Sequence, residues 1–296
     1  MSEFAYIDWL RKRTPPASQV RIGPGDDCAL LDWKSPSCLV TTDVLLEGRH
    51  FVLSEVSPRR VGRKAMAVNL SDIAAMAGRP IAAVVGVALP TAGGRQIAEQ
   101  LYLGMRDIAD EFNTAIVGGD TNSWDGPLVI SVSLLGEPVG RGPVTRAGAK
   151  PGDWLLVTGP LGGSLAGKHL DFTPRIREAI QLNALAELHA MIDISDGLAA
   201  DVHHICEESH CGALLRAEAI PLAPAAESLE NALGDGEDFE LAFAVSPEDG
   251  AKLLRDQPVP GIQLALVGEF IADGFWLEEK GTRRRLEPKG WVHELG

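Results

Sequence analysis

Gly136-Glu137-Pro138-Val139-Gly140-Arg141-Gly142-Pro143-Val144-Thr145-Arg146-Ala147-Gly148-Ala149-Lys150-Pro151-Gly152 divides the chain. Neither a helix nor a ladder of strands continues through such a density of glycine and proline, because proline lacks a backbone donor and glycine loses the most freedom on ordering. The stretch therefore reads as a boundary between a first domain, residues 1–137, and a second, residues 138–296. Immediately upstream, residues 128–135 have strand character, and residues 154–158 open the second domain in the same way.

Working outward through the first domain, Phe4, Ile7 and Leu10 recur at helical intervals and predict a helix over residues 4–11. Residues 28–31 and 38–42 read as strands around a turn containing Pro36, with Asp43 where the second strand runs out. A helical pattern follows over 58–77, then a strand over 81–89, a helix over 94–111, and a strand at 115–117 that delivers Gly118-Gly119-Asp120 at its exit. In the second domain a helix is expected over 174–189 and a strand around Ile192. A helix then runs from Asp196 or Gly197 to Glu208, with Asp196 as its cap, and strands are expected at 242–245, 263–270 and 275–278. Neither half has the strict strand–crossover repeat of a dinucleotide-binding domain. The expected class is α/β (α+β), with mixed sheets packed against helices.

The chain has 296 residues, 45% of them hydrophobic, which suffices for two cores of ordinary size. Its 27 Lys and Arg against 41 Asp and Glu give a formal charge of -14, which argues against nucleic acid and anionic membranes as partners. Arg283-Arg284-Arg285 is too short to change that. Residues 1–13 lack a signal-peptide apolar stretch, and no segment has membrane-spanning length, so a cytoplasmic protein is expected. Cysteines at 28, 38, 206 and 211 are too sparse for a disulfide framework. His203, Cys206 and His210 share a helical face, but their spacing matches no usual zinc pattern and an ordinary amphipathic helix accounts for them.

Acidic clusters beside small residues carry the chemistry: Gly25-Asp26-Asp27, Thr41-Thr42-Asp43, Asn69-Leu70-Ser71-Asp72, Gly118-Gly119-Asp120-Thr121 and Asp193-Ile194-Ser195-Asp196-Gly197. Each alone could be a solvated turn, a strand end or a capped helix. Together they would repel unless cations joined them, and hard oxygen ligands suit Mg2+ holding phosphate. Residues 159–163 lack the Gly-Lys-Ser/Thr of a phosphate-binding loop, and Gly23-Pro24-Gly25 lacks the strand and helix of a dinucleotide fingerprint. Phosphate would then be held by Mg2+, backbone N–H groups and a cation such as Arg146 or Lys150.

The set resembles the thiamine-monophosphate kinase family, within the superfamily of aminoimidazole ribonucleotide synthase. The resemblance runs through residues 22–27, Thr41-Thr42-Asp43, Glu47-Gly48-Arg49-His50-Phe51 and residues 67–76. It continues through residues 118–121, 146–153 and 193–198, Gly236-Glu237-Asp238-Phe239-Glu240-Leu241, and Gly290-Trp291 with His293. The likeness implies ATP and several Mg2+ ions, thiamine monophosphate as phosphoryl acceptor, and a homodimer formed through the N-terminal sheets. It places metal ligation on Asp26 or Asp27, Thr42, Asp43, Asp72, Asp120, Asp193 and Asp196. Gly119, Arg146 and Ser195 fall at positions holding ATP or its phosphates, with Asp120 also facing the nucleotide. His50, Glu237 and Trp291 match positions contacting thiamine monophosphate, and Asp43, Asp72, Asp120, Arg146 and Asp196 form the implied catalytic set. Asp235 stands where a glycine is common. Two other readings are an aminoimidazole ribonucleotide synthase-type enzyme and a non-catalytic nucleotide or thiamine-phosphate sensor.

Overall fold

The computed structural model describes residues 3–23 and 28–291, so Asp26, Asp27 and His293 lie outside the described residues. The chain divides into two compact units. The first runs to Ile73 and resumes over Arg79–Pro138, and the second takes Ala74–Gly78 and the chain from Val139 onward.

The first unit contains helix α1 (Glu3–Arg11), strands β1 (Val20–Ile22), β2 (Leu30–Leu31) and β3 (Leu39–Leu46), and helix α2 (Pro58–Ala75). Strand β4 (Gly78–Pro90), helix α3 (Gly94–Ala109), and strands β5 (Ala115–Trp124) and β6 (Val129–Pro138) follow. Four of these strands make one sheet in the order β3-β6-β4-β5, with β3 antiparallel to β6 and β4 parallel to β5. Period-two alternation fixes its faces. On β6, Ile130, Val132 and Leu134 are fully buried, while Ser131, Ser133 and Leu135 between them are only half-buried. Each such buried aliphatic side chain contributes roughly 1.5–3 kcal/mol. The core-facing side of α2, including Ala65, Met66, Leu70 and Ile73, is buried as its helical spacing predicts.

Two glycines let α2 and α3 approach backbone to backbone. A Cβ on Gly62 would lie 2.1 Å from the Leu101 carbonyl oxygen, and one on Gly104 would lie 1.7 Å from that of Arg59. α1 is held on α3 by Tyr6, whose hydroxyl donates to the Ala98 carbonyl at 3.1 Å, and by Trp9 set edge-on to Tyr102.

Two strands of this unit run further than the sequence reading placed them. Asp43 is not at the end of β3 but inside it, because Val44, Leu45 and Leu46 continue the alternation and pair with Ser131, Ile130 and Val129. Likewise β5 does not stop at Val117. Gly118 to Thr121 remain in register with β4, with Val85 opposite Gly119 and Gly86 opposite Asp120.

The second unit contains strand β7 (Trp154–Val157), helices α4 (Lys168–Asp171) and α5 (Ile176–Leu185), strand β8 (Leu188–Asp193), helix α6 (Leu198–Ser209) and strand β9 (Gly212–Arg216). It continues with helix α7 (Leu229–Gly234), strand β10 (Leu241–Val245), helix α8 (Pro247–Asp256), and strands β11 (Ala265–Ile271), β12 (Phe275–Glu279) and β13 (Thr282–Arg285). Its seven-stranded sheet has the order β13-β12-β9-β11-β7-β10-β8, antiparallel except for the β12–β9 pair. β10 is buried throughout and reads as an unbroken apolar run. On one face Leu155, Val157, Ile192, Ala242 and Phe270 pack with Val202, Ile205 and Cys206 of α6. The helix expected to reach His189 ends at Leu185, since Ala186 is extended and the chain enters β8 at Leu188.

Gly104→Ala is expected to lower stability by more than about 2 kcal/mol, because the α2–α3 crossing has no space for a methyl group. Thermal denaturation against the parent chain checks this, and a melting temperature unchanged within a degree would contradict it.

Candidate functional site

In the first unit, β3 presents Thr41, Asp43 and Leu45 to one face and Thr42, Val44 and Leu46 to the other, as the burial alternation shows. The Thr41 hydroxyl donates a short hydrogen bond to the Asp72 carboxylate on α2. Asp43 and Asp72 interact electrostatically, and burial together with the Asp72 charge pushes the Asp43 carboxyl up to about 7. Such a shift favours the protonated fold. The contribution is present below the ordinary carboxylate range and is lost as pH rises through about 7. Thr42 turns to the opposite face, where its hydroxyl donates to the Val132 carbonyl at 3.1 Å and meets Ser133 Oγ at 3.0 Å. Thr41 therefore supplies the hydroxyl beside the carboxylates, a distinction set by the pleat.

Asp120 lies on β5, at the other edge of the four-stranded sheet from β3. Three interstrand spacings of about 4.8 Å separate the two edges. Gly119 is required beside it, because a Cβ there would stand 1.9 Å from the Val85 carbonyl oxygen. Both residues line a cavity of about 930 Å³ with Tyr6, Leu10, Val85 and Tyr102.

His50 is fixed from two sides. Its Nδ1 accepts from the Leu46 N–H at 3.0 Å, which leaves the ring proton on Nε2 in the neutral form. Its carbonyl accepts at 2.9 Å from Lys64 Nζ, a lysine only 1% exposed on α2. Sequence reading passed over Lys64 because a single lysine in a helix ordinarily faces solvent.

In the second unit, Asp193 ends β8 and Asp196 precedes α6. The helix is not capped by Asp196. Asp201, one turn in, accepts from the N–H groups of Asp196 at 3.1 Å and Gly197 at 3.0 Å. Burial, then the charges of Asp193 and Asp196, hold the Asp201 carboxyl well above the usual range. Asp201 escaped the sequence reading because its partners are backbone groups that the turn alone aligns.

The segment before β10 folds onto this acidic loop. Glu237 N–H donates to the Ser195 carbonyl at 2.7 Å, Phe239 N–H to the Ile194 carbonyl at 2.8 Å, and Ile194 N–H to the Glu240 carbonyl at 2.7 Å. Glu237 and Phe239 are thereby held at φ values of 53° and 50°, a left-handed conformation that costs a non-glycine residue roughly 1 kcal/mol or more. Phe239 stacks on Phe172 at 4.1 Å, and Glu237 Oε2 pairs with His169 Nδ1 at 2.8 Å. Asp235, where the sequence departs from the expected glycine, has φ −67° and accepts from the Gly163 N–H at 3.0 Å, so the backbone there has no need of glycine. Asp238 and Glu240 are buried supports. Asp238 accepts both from the Gly162 N–H and from the Ser164 hydroxyl, and Glu240 takes a bidentate pair from Arg175 at 2.7 Å and a bond from Lys168 at 2.9 Å. The Trp291 backbone N–H donates to the Asp196 carbonyl at 3.0 Å, and the residue is 48% exposed.

Arg146 is exposed on a loop whose backbone is fixed by Ser209 of α6 and by Met191 of β8. His203 packs edge-on against Phe275, Cys206 is buried in the core, and His210 terminates α6 in a left-handed conformation. Among the described residues no group of three or more His, Cys, Asp or Glu side chains is placed to hold a metal ion, and no helix is long and apolar enough to cross a membrane.

Residues 25–137 match the AIR synthase related protein N-terminal domain, and residues 150–275 match the corresponding C-terminal domain. The chain is similar to the thiamine-monophosphate kinase of Rhodopirellula baltica, at 39% identity over 98% of this chain and 97% of that protein. It is similar in structure to the thiamine-monophosphate kinase of Stenotrophomonas maltophilia, with TM-score 0.82, 32% identity, and coverage of 95% and 98% of the two chains. It also matches the solved complex of AaThiL with AMPPCP and TMP, with TM-score 0.77, 31% identity, and coverage of 99% and 97%. With both domain signatures in order and this identity over nearly its whole length, the chain belongs to the thiamine-monophosphate kinase family.

Proposed function

We propose that this protein phosphorylates thiamine monophosphate to thiamine diphosphate with ATP as donor. The observation that carries the reading is similarity along nearly the whole chain to a kinase solved with AMPPCP and TMP. An aminoimidazole ribonucleotide synthase-type reaction and a silent sensor have no comparable support. The protein is taken to act in the cytoplasm, with neither nucleic acid nor membrane as partner.

The side chains fit Mg2+ in their chemistry. Asp43 and Asp72 are close enough to repel, with a threonine hydroxyl beside them, and a hard cation relieves that repulsion. In the first unit Asp43 and Asp72 with the Thr41 hydroxyl, Asp120, and Asp26 or Asp27 would hold ions, while Thr42, turned to the opposite face of β3, would not join Asp43 and Asp72; in the second unit Asp193 and Asp196 would do so. Bound Mg2+ supplies neutralisation of the nucleotide phosphates and of the charge that develops during transfer.

The chain's own groups supply orientation. Gly119 allows the β5 backbone beside the cavity to approach a nucleotide, while Ser195 and Arg146 contribute donors to its phosphates. His50 offers its Nε2 proton to the acceptor phosphate. Glu237, braced by His169, balances the cationic heteroaromatic acceptor, and Trp291 gives that ring a flat partner. Transfer is direct and in line. An acceptor phosphate oxygen forms a bond to the γ-phosphorus as the bond from that phosphorus to the β-bridging oxygen breaks, and ADP leaves with the electron pair. A phosphate monoester is already ionised near neutral pH, so a dedicated side-chain base is unnecessary.

The open face of the four-stranded sheet supports a homodimer. Val40, Val44, Leu46 and Val84 are 39–68% exposed there, an apolar surface that a second copy would cover. Solution mass measured across a concentration series is expected to give twice the chain mass, and a persistent monomer would contradict the assembly. Purified protein incubated with ATP, Mg2+ and thiamine monophosphate should yield ADP and thiamine diphosphate in equal amounts. Asp72→Asn and Asp120→Asn should keep the melting temperature within a few degrees, lower turnover by about 100-fold or more, and shift activity to higher Mg2+. Parent-like rates of both variants at limiting Mg2+ would sink the ligand assignment, and nucleotide binding without diphosphate would favour the sensor.

A further inference from the structure

We propose that Ser209 is a positioning residue for Arg146, setting the arginine's approach to the ATP phosphates. This inference rests on the reading that Arg146 contacts those phosphates. Ser209 is the last residue of α6, and its hydroxyl has one proton to donate and two lone pairs to accept with. All three are used on one arch of backbone. Ser209 Oγ donates to the Arg146 carbonyl at 3.0 Å and accepts from the N–H groups of Gly148 and Ala149, each at 3.1 Å.

The rest of the arch is held at its ends. Thr145 receives a backbone bond at its carbonyl from Met191 N–H at 3.0 Å, and its hydroxyl donates to the Ala147 carbonyl at 2.8 Å. Asp153, buried and paired with His189 at 2.7 Å, accepts from the Lys150 N–H at 2.8 Å. Gly148 has φ 126°, and a Cβ on it would lie 2.4 Å from the His189 carbonyl oxygen, so β8 presses on the arch at its middle. Among the described residues, Ser209 binds the peptide groups on both sides of Ala147 to a second element. Without that hydroxyl the ends remain fixed, while the backbone carrying Arg146 gains freedom that must be lost again whenever phosphate binds.

The test uses the full chain and measures KM for ATP, KM for thiamine monophosphate, kcat and melting temperature for the parent, Ser209→Ala, Arg146→Ala and the double variant. KM does not depend on the fraction of molecules folded, so partial loss of stability in Ser209→Ala leaves the readout intact. Ser209→Ala is expected to raise the ATP KM about fivefold, the scale of a modest hydrogen-bonding loss, with the KM for thiamine monophosphate changed less than about twofold. The double variant should have the ATP KM of Arg146→Ala alone, since the serine acts through the arginine. An unchanged ATP KM in Ser209→Ala, an equal rise in both KM values, or additive effects in the double variant would overturn the proposal. Arg146→Ala with a parent-like ATP KM would instead remove the phosphate reading of Arg146 on which the proposal stands.

Discussion

Repulsion between carboxylates that the fold holds close together is the constraint on which the site depends. Asp43 and Asp72 face each other across β3 and α2, and Asp193, Asp196 and Asp201 crowd the turn between β8 and α6. Holding like charges this close has an electrostatic cost that neutral residues at the same positions would avoid. Each group is imposed by well-packed surroundings. In the first unit the buried faces of α2 and β6 fix where the acids point, and in the second the bonds from Asp201 to the Asp196 and Gly197 N–H groups do so. Acids confined in this way are what the proposed Mg2+ ions would relieve, which would connect packing to phosphoryl chemistry.

The same logic explains the strained backbone at Glu237. Holding Glu237 and Phe239 at positive φ costs free energy that the three bonds to Ile194 and Ser195 and the Phe172–Phe239 stack offset. Buried Asp238 and Glu240 hold the ends of the segment with hydrogen bonds and ion pairs from Gly162, Ser164, Lys168 and Arg175. The segment that brings Glu237 to the acidic loop is therefore fixed by bonds along its length, and the Trp291 backbone N–H is bound to the Asp196 carbonyl.

Much of this was legible in the sequence, and the exceptions share a cause. The helical spacing of α2 and α3 corresponds closely to the elements observed, because helical period is a local property. Strand ends were less legible. Val44-Leu45-Leu46 and Gly118 to Thr121 stay in their strands because partners on β6 and β4 continue beside them, and no local pattern reports a partner's length. β9 was missed because Gly212-Ala213-Leu214-Leu215 does not alternate; it is buried on both faces. The acids themselves stood out as motifs, whereas Thr41, Lys64, His169, Asp201 and Ser209 acquire meaning only from the groups that folding brings to them.

Relief of the confined acids by bound cations would be read at Asp43, whose carboxyl is pushed up to about 7 by burial and by the Asp72 charge. Calorimetric titration of chelator-treated protein with MgCl2 at pH 7, repeated in buffers of different ionisation enthalpy, counts the protons displaced. Net proton release is expected from the parent protein, with loss of that release in Asp43→Asn. Mg2+ binding without proton release, or equal release from both proteins, would contradict it.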